Sequence, residues 1–403
     1  MNHPQALPLL CVAGQNDVAV QALEYLHTHY PNYPLCALPC PHDGGEDGWQ
    51  PSLKRKALQL GVKLTSLEEL YPNQKLIFLS LQYSQIIHPG RFASKQLFNL
   101  HFSKLPQYKG VYPAIHPILR GEKSHGVTLH KIDDGIDTGN IIAQTTFNIK
   151  LEDTARDLYL KLSQQACKLF KKHVDQLIKN TYSSYEQPAE CASYYSKASI
   201  DFNNIKLDLN KTAYEIHNQF RAFTFREYQM PVYRSWSILK SYITFEKSSH
   251  KPGTEIEETD EHFTIAGVDF NVRLLKDYYP SLWISCESGD RVLFDKALAR
   301  IDGIDLRNQQ GWTALIIASY HGHLELVRAL VARGANINLP NYKGTTPLMY
   351  ALSCYEMTQN DDVFRYLISC GANLESRDQH GKSVEDYLVE KGCQDLLKPI
   401  KSS

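Results

Sequence analysis

Asn99-Leu100-His101-Phe102-Ser103-Lys104-Leu105-Pro106-Gln107-Tyr108-Lys109-Gly110 reads as the end of a buried strand running into a turn. Leu97 to His101 is the strand, and Pro106 and Gly110 are the turn signals. Working outward, Lys75 to Leu81 is a bounded apolar strand, Val127 to Ile132 alternates, and Asn140 to Ile149 continues extended. Toward the N-terminus, Leu7 to Ala13 is a short apolar run ending at Gly14, Val18 to Tyr30 has helical spacing, and Leu35 to Leu38 is a second run. Leu53 to Leu60 is helical, and Ala155 to Ile178 is a long amphipathic helix. This rhythm predicts an α/β domain over residues 1–185, with a mainly parallel sheet and helices on both faces.

The pattern then changes. Over residues 186–276, Thr212 to Phe223 has helical spacing, while Ser235 to Phe245 and His262 to Leu275 alternate like strands. A small α+β domain with β-hairpins is expected there. Residues 277–403 contain an internal repeat. Gly311-Trp312-Thr313-Ala314-Leu315 recurs 33 residues later as Gly344-Thr345-Thr346-Pro347-Leu348. Gly334-Ala335-Asn336 recurs as Gly371-Ala372-Asn373 at a spacing of 37. This period and these elements resemble the ankyrin repeat, an all-α architecture. The longer copy carries about four extra residues near Tyr355 to Asn360, expected to lengthen the turn between its helices.

The chain has 403 residues and 43% apolar composition, enough for full cores. Lys+Arg is 43 against 44 Asp+Glu, a net charge of −1, which argues against a nucleic-acid or membrane-surface binder. No run approaches the ~20 apolar residues of a membrane span. No secretory signal is expected, because no basic region precedes Ala6 to Ala13. The nine cysteines are scattered and form no C-x-x-C, so neither a disulfide framework nor a metal site is expected, and a cytoplasmic setting fits. The single glycine of Ala13-Gly14-Gln15-Asn16 excludes a dinucleotide fingerprint.

The opening stretch and Gly126-Val127-Thr128-Leu129-His130-Lys131-Ile132-Asp133-Asp134-Gly135-Ile136-Asp137-Thr138-Gly139 together resemble the folate-dependent formyltransferases. Their signature is Asn-x-His, Leu-Pro-x-Tyr/Trp-x-Gly, then Gly-x-Thr and a loop ending Asp-x-Gly. The resemblance runs from about Lys75 to Ile149 and more loosely over the first 180 residues. It implies a catalytic trio of Asn99, His101 and Asp137. The chemistry agrees. On a strand, Asn99 and His101 project from one face, and strand ends of an open α/β sheet are where ligands bind. Formyl transfer to an amine needs an oxyanion donor, which an Asn amide supplies. It needs a group titrating near working pH, here His101 as base or as electrophile. It also needs a carboxylate to orient that group, here Asp137. The resemblance further implies 10-formyltetrahydrofolate as co-substrate, held by Leu81, Gln82, Tyr83 and Ser84 and by the loop from Ile132 through Asp133 and Gly135 to Ile136.

Asn218-Gln219-Phe220-Arg221-Ala222-Phe223-Thr224-Phe225-Arg226-Glu227-Tyr228 resembles the segment that follows the catalytic domain in the tRNA and sugar formyltransferases. Phe223, Phe225 and Tyr228 are candidates for a thymine platform, and Arg221 and Arg226 for phosphate. Charge balance disfavours tRNA. The ankyrin section is similar to that of a subgroup of dTDP-sugar N-formyltransferases. That likeness implies a dTDP-linked 3-amino-3,6-dideoxyhexose acceptor, glucose or galactose epimer, destined for the O-antigen of lipopolysaccharide. It also implies a second nucleotide-sugar pocket at Trp312, His321 and Tyr350, with Tyr320 nearby. The alternatives are a methionyl-tRNA formyltransferase with an added repeat, or a non-catalytic scaffold whose repeats bind protein. A homodimer through strand edges of the second domain is a further expectation.

Overall fold

Leu76–Leu81 is buried at all six positions, as a strand covered on both faces must be. It lies at the centre of a seven-stranded sheet in the computed structural model, which describes residues 7–397. In chain order the elements up to the end of the second sheet are β1 (Leu9–Gly14), α1 (Asn16–His29), β2 (Leu35–Pro39), α2 (Leu53–Gln59), β3 (Lys63–Leu64), α3 (Leu67–Leu70), β4 (Leu76–Leu81), β5 (Gln96–His101), β6 (Lys109–Gly110), α4 (His116–Leu119), β7 (Ser124–Lys131), β8 (Ile141–Asn148), α5 (Ala155–Ile178), β9 (Tyr194–Tyr195), α6 (Ala213–Ala222), β10 (Val232–Tyr233), β11 (Trp236–Lys247), β12 (Glu255–Glu258), β13 (His262–Ala266) and β14 (Phe270–Lys276).

The sheet order is β3-β2-β1-β4-β5-β7-β8. It is parallel from β3 to β5, and β7 and β8 close it antiparallel. Strand alternation divides the core. Cys11, Ala13 and Phe78 face Leu67, Leu70 and Phe92 on one side, while α1 and α5 pack against each other and α5 against β5, β7 and β8. A capping box between Thr154 and Asp157 starts α5. The chain turns one way from β1 through β2 to β3 and the other way from β4 to β5, so the sheet's switch point lies between β1 and β4. The two strand ends approach closely there. A Cβ on Gly14 would lie 2.0 Å from the Leu81 carbonyl oxygen, so glycine is the residue that fits.

The second sheet is antiparallel, in the order β10-β11-β14-β13-β12, and buries Ile238, Phe263, Ile265, Val272 and Leu274 against Ala213, Ile216 and Phe220 of α6. The expected break at 185/186 does not separate compact units. One unit holds Gln50–Phe225 and Gln229–Lys276 with the stretch through Glu46. The reason is that residues following α5 hydrogen-bond back to the loops of the first sheet, as β9 does with β6.

The other unit starts at Asp277 and takes in Asp47–Trp49 and Arg226–Tyr228. Its helices are α7 (Tyr279–Ser288), α8 (Arg291–Leu298), α9 (Ala314–Tyr320), α10 (Leu324–Ala332), α11 (Pro347–Thr358), α12 (Asp362–Ser369) and α13 (Val384–Glu390). Thr313, Thr346 and Ser383 cap α9, α11 and α13. The extra residues of the third copy do not lengthen a turn. They extend its first helix, because Tyr355-Glu356-Met357 continues α11 until Gln359 turns left-handed. No helix among the described residues is long and apolar enough to cross a membrane.

Candidate active site

β5 delivers Asn99 and His101 at its C-terminal end, and antiparallel β7 places His130 directly opposite Asn99. Asp137 comes from the loop between β7 and β8, at a left-handed backbone position (φ 55°). The four side chains meet. Asn99 Nδ2 donates to Asp137 Oδ1 at 3.1 Å and lies 3.1 Å from His130 Nε2. His101 Nδ1 is 3.5 Å from Asp137 Oδ2, and His130 Nε2 is 3.5 Å from Oδ1. The backbone N–H of Gly110 donates to Asp137 Oδ2 at 2.9 Å.

The surroundings fix where the protons sit. His101 Nε2 lies 2.9 Å from the carbonyl oxygen of Tyr108. A carbonyl only accepts, so Nε2 carries hydrogen, and Nδ1, facing Asp137, is the nitrogen that takes up or releases a proton. By the same logic His130 Nδ1 donates to the Lys131 carbonyl at 2.8 Å, leaving Nε2 to accept from Asn99. Burial opposes a charge on Asp137, but His101, His130 and the Gly110 N–H outweigh it and hold the carboxyl well below the usual carboxylate range. The site can therefore stabilise a proton arriving at His101 and offer an amide to a developing negative oxygen.

The two loops expected to hold folate flank this cluster in sequence. Gln82 sits at φ 61°, and its side chain accepts from Asn16 Nδ2 at 3.1 Å and from the Tyr159 hydroxyl at 3.2 Å. The Cys40 thiol lies between the Gln82 carbonyl (3.7 Å) and the Ser84 N–H (3.3 Å), tying this loop to the end of β2. Leu81 is buried, Tyr83 half-buried, and Ile132 packs on the core behind them. Asp133 shapes its own loop, accepting from the Thr138 hydroxyl at 2.6 Å and the Gly135 N–H at 3.2 Å. Asp134 and Ile136 make no hydrogen bond to the described residues, so their backbone groups stay open. A pterin presents amide-like edges, and the open backbone groups at Tyr83, Asp134 and Ile136 fit such a group.

Of the four residues expected to touch substrate, Arg221 and Phe223 belong to the first unit and Arg226 and Tyr228 to the other. Phe223 is buried. Arg221 is buried too, and braces the chain before α5 by donating to Asn218 Oδ1 and to the Lys150 and Asp153 carbonyls at 2.9–3.1 Å. This replaces the phosphate role expected from its sequence: its donors serve the fold. Arg226 is likewise engaged, pairing with Asp277 at 2.8 Å with the Tyr279 and Trp283 rings about it. Tyr228 is exposed and meets Trp49 edge-to-face at 5.7 Å.

In the repeat unit, Trp312, Tyr320 and Tyr350 do come together, with ring centroids 4.7–5.7 Å apart. Asn341 Nδ2 donates to the Tyr350 hydroxyl at 2.9 Å, and His321 meets Tyr320 edge-on at 5.1 Å. His130 was not singled out from sequence. Its signal was available: it shares a strand face with Thr128, two residues away in the alternating run. No group of three or more metal-ligating side chains occurs among the described residues.

A formyl transferase family model matches residues 75–174, and a model of three ankyrin repeats matches residues 282–378. The chain is similar to the N-formyltransferase from Helicobacter canadensis crystallised with folinic acid and dTDP-3-aminofucose: 43% identity, TM-score 0.63, over 67% of this chain and 99% of that one. It is similar to WlaRD, a sugar 3N-formyl transferase crystallised in the presence of dTDP and 5-N-formyl-THF, at 40% identity and TM-score 0.64 over 68% of this chain and 98% of that one. The methionyl-tRNA formyltransferase of Coxiella burnetii is 27% identical over 238 residues, 56% of this chain and 74% of that one. With the Asn–His–Asp cluster at the strand end and these likenesses, the chain belongs to the sugar N-formyltransferases of the folate-dependent formyltransferase family and carries ankyrin repeats at its C-terminal end.

Proposed function

We propose that this enzyme moves a formyl group from 10-formyltetrahydrofolate to the 3-amino group of a dTDP-linked 3-amino-3,6-dideoxyhexose. The observation that carries the mechanism is the committed geometry of His101. With its one N–H, at Nε2, bound to the Tyr108 carbonyl, neutral His101 has none left to polarise the formyl oxygen. His101 is the proton acceptor, working at Nδ1, and the Asp137 carboxylate 3.5 Å away stabilises the imidazolium that results. Asn99 is the oxyanion donor. Both of its amide hydrogens are occupied at rest, by Asp137 and His130. Turning toward the oxyanion releases the contact to neutral His130, which is weaker than the charge-assisted bond to Asp137. The folate supplies the formyl group, and the backbone groups of Tyr83, Asp134 and Ile136 would orient its pterin.

The acceptor assignment rests on the likeness to the two sugar enzymes, whose crystals held dTDP or a dTDP-3-amino sugar. Tyr228, the exposed aromatic of its segment, is the candidate for the thymine base. The test is formyl transfer to dTDP-3-amino-3,6-dideoxyglucose, its galactose epimer, a dTDP-4-amino sugar and charged methionyl-tRNA. Turnover with a 3-amino sugar alone is expected. Transfer to methionyl-tRNA, or none to any acceptor, would overturn the reading. A cytoplasmic reaction feeding O-antigen synthesis, and a homodimer, belong to the same reading; sedimentation of the full chain checks the dimer.

A second reading concerns the repeats. The half-buried aromatic trio Trp312, Tyr320 and Tyr350, with His321 beside it, supports a second nucleotide-sugar pocket in which a thymine stacks. Base–aromatic stacking of this kind contributes about 1–3 kcal/mol. Calorimetry of the full chain with dTDP should find two sites, one of them lost in Trp312→Ala. One site, unchanged by that substitution, leaves the repeats a structural or protein-binding role.

A further inference from the structure

The segment Tyr185–Tyr195, which follows α5 and from Glu186 on lies outside the expected catalytic domain, is fastened to both loops that complete the active site. At one end Tyr185 and Ile141 exchange backbone hydrogen bonds at 2.8 and 3.0 Å. At the other, Ser193–Tyr195 lies along Pro106–Val111. Ser193 N–H donates to the Pro106 carbonyl, Lys109 N–H to the Ser193 carbonyl, Val111 N–H to the Tyr195 carbonyl, and Tyr108 N–H to Ser193 Oγ, all at 2.8–3.2 Å. This second loop supplies the Tyr108 carbonyl to His101 and the Gly110 N–H to Asp137. Between the two ends sits Gln187. Its Nε2 donates at 2.8 Å to the carbonyl of Asp137 and at 2.8 Å to the carbonyl of Gly139.

We propose that Gln187 is the positioning residue of Asp137, clamping the backbone on either side of Thr138 so that the carboxylate stays in line with His101 and Asn99. The inference rests on the catalytic reading given above. Two observations carry it. Asp137 has a left-handed backbone (φ 55°), a conformation that a residue with a Cβ adopts only when its surroundings hold it. The side chain that binds its carbonyl does so at a cost, since Gln187 Oε1 is buried with no hydrogen-bond partner among the described residues. An amide used only for packing could be replaced by an apolar side chain of the same shape, with nothing left unpaired. Gln187 instead spends both Nε2 hydrogens on the two carbonyls that fix where Asp137 points. Clamp and carboxylate act in series: Gln187 touches no reacting atom and works only through Asp137.

The experiment is a double-mutant cycle in the full-length enzyme with Gln187→Leu and Asp137→Asn. It is read as kcat and KM for both substrates, kcat against pH, and unfolding midpoint by circular dichroism. Gln187→Leu should lower kcat about 10–100-fold, the loss expected from misplacing a catalytic group by about an ångström. KM for the nucleotide sugar should stay within about twofold, and the acid limb of the pH profile should move. In the Asp137→Asn background the same substitution should cost no further turnover. An equal loss in both backgrounds, or a kcat loss that tracks a lowered unfolding midpoint and recovers on cooling, would show a general structural role and overturn the clamp. So would wild-type kcat in Gln187→Leu. If Asp137→Asn itself keeps full turnover, the catalytic reading is what fails. If Asp137→Asn is inactive while Gln187→Leu is not, the clamp fails alone.

Discussion

Replacing Asp137 by asparagine keeps its size and removes its charge. The charge matters because His101 Nδ1 lies 3.5 Å from Oδ2 and becomes cationic as it accepts the proton of the attacking amine. Two unit charges at that separation, in a site of effective dielectric about 20, attract by about 4–5 kcal/mol. At 1.36 kcal/mol per factor of ten, the loss is roughly 10³-fold in kcat. KM for the nucleotide sugar should change little, because the interaction develops only as the proton moves. The carboxyl of Asp137 is held low in the fold, so its contribution to stability is present at neutral pH and is lost as pH falls through its folded value. Asp137→Asn should therefore flatten the acid end of the stability profile as well. Steady-state formyl transfer with the 3-amino sugar, alongside urea unfolding at several pH values, measures both. Turnover within tenfold of wild type, in a protein that still folds, would refute the idea that this ion pair carries the rate.

Other expectations follow from the same geometry. Asn99→Ala should cost ~10²–10³-fold in kcat through loss of the oxyanion donor; equal kcat with a raised KM would reassign Asn99 to substrate binding. Gly139→Ala would bring a Cβ to within 1.9 Å of the Lys131 carbonyl oxygen, so the loop must shift at a cost of about 1–3 kcal/mol. A lowered unfolding midpoint and a raised KM for folate are expected, and an unchanged midpoint would contradict the close approach. His125 is buried, and its ring is pushed down to about 4 by burial. The unfolded chain therefore takes up a proton at this residue, as pH falls from about 6.5 toward 4, that the folded chain refuses, and stability drops by on the order of 3 kcal/mol over that window. His125→Gln should remove one proton from the acid-unfolding slope, and an unaltered slope would show that His125 is not the group responsible.

That Asn99, His101 and Asp137 meet was legible in sequence to the extent that the arrangement is local. Asn99 and His101 share a strand face by period two, and Asp137 ends a short polar loop after the next strand of the sheet. Helix α5 was readable to its ends, because a capping box opens it and an unbroken apolar stripe runs its length. What sequence could not supply was which residues of the segment after α5 face inward. Arg221 and Phe223 carry the composition of a phosphate and base site, yet they fall on the buried side of the end of α6. Tertiary contacts decide this, among them those of Arg221 with the Lys150 and Asp153 carbonyls before α5. Gln187 acts through a contact 50 residues away in sequence, so no local pattern announces it, whereas the strand alternation places His130 on the face of Thr128 but not its partner Asn99, 31 residues away.

The lengthened α11 bears on how the repeats unfold. At 12 residues it is five longer than the 7 of α9, its equivalent in the preceding copy, which adds about 7.5 Å of helix axis. Repeat arrays behave nearly as one-dimensional chains, with stability divided between each copy and its contacts to its neighbours. The added turn has no counterpart in α9 to stack on, and it leaves Met357 exposed. Forward along the array, Glu356 in that turn forms an ion pair with Lys391, just beyond α13. The extra residues thus add a coupling forward along the array, between α11 and the end of α13, and add none backward to α9.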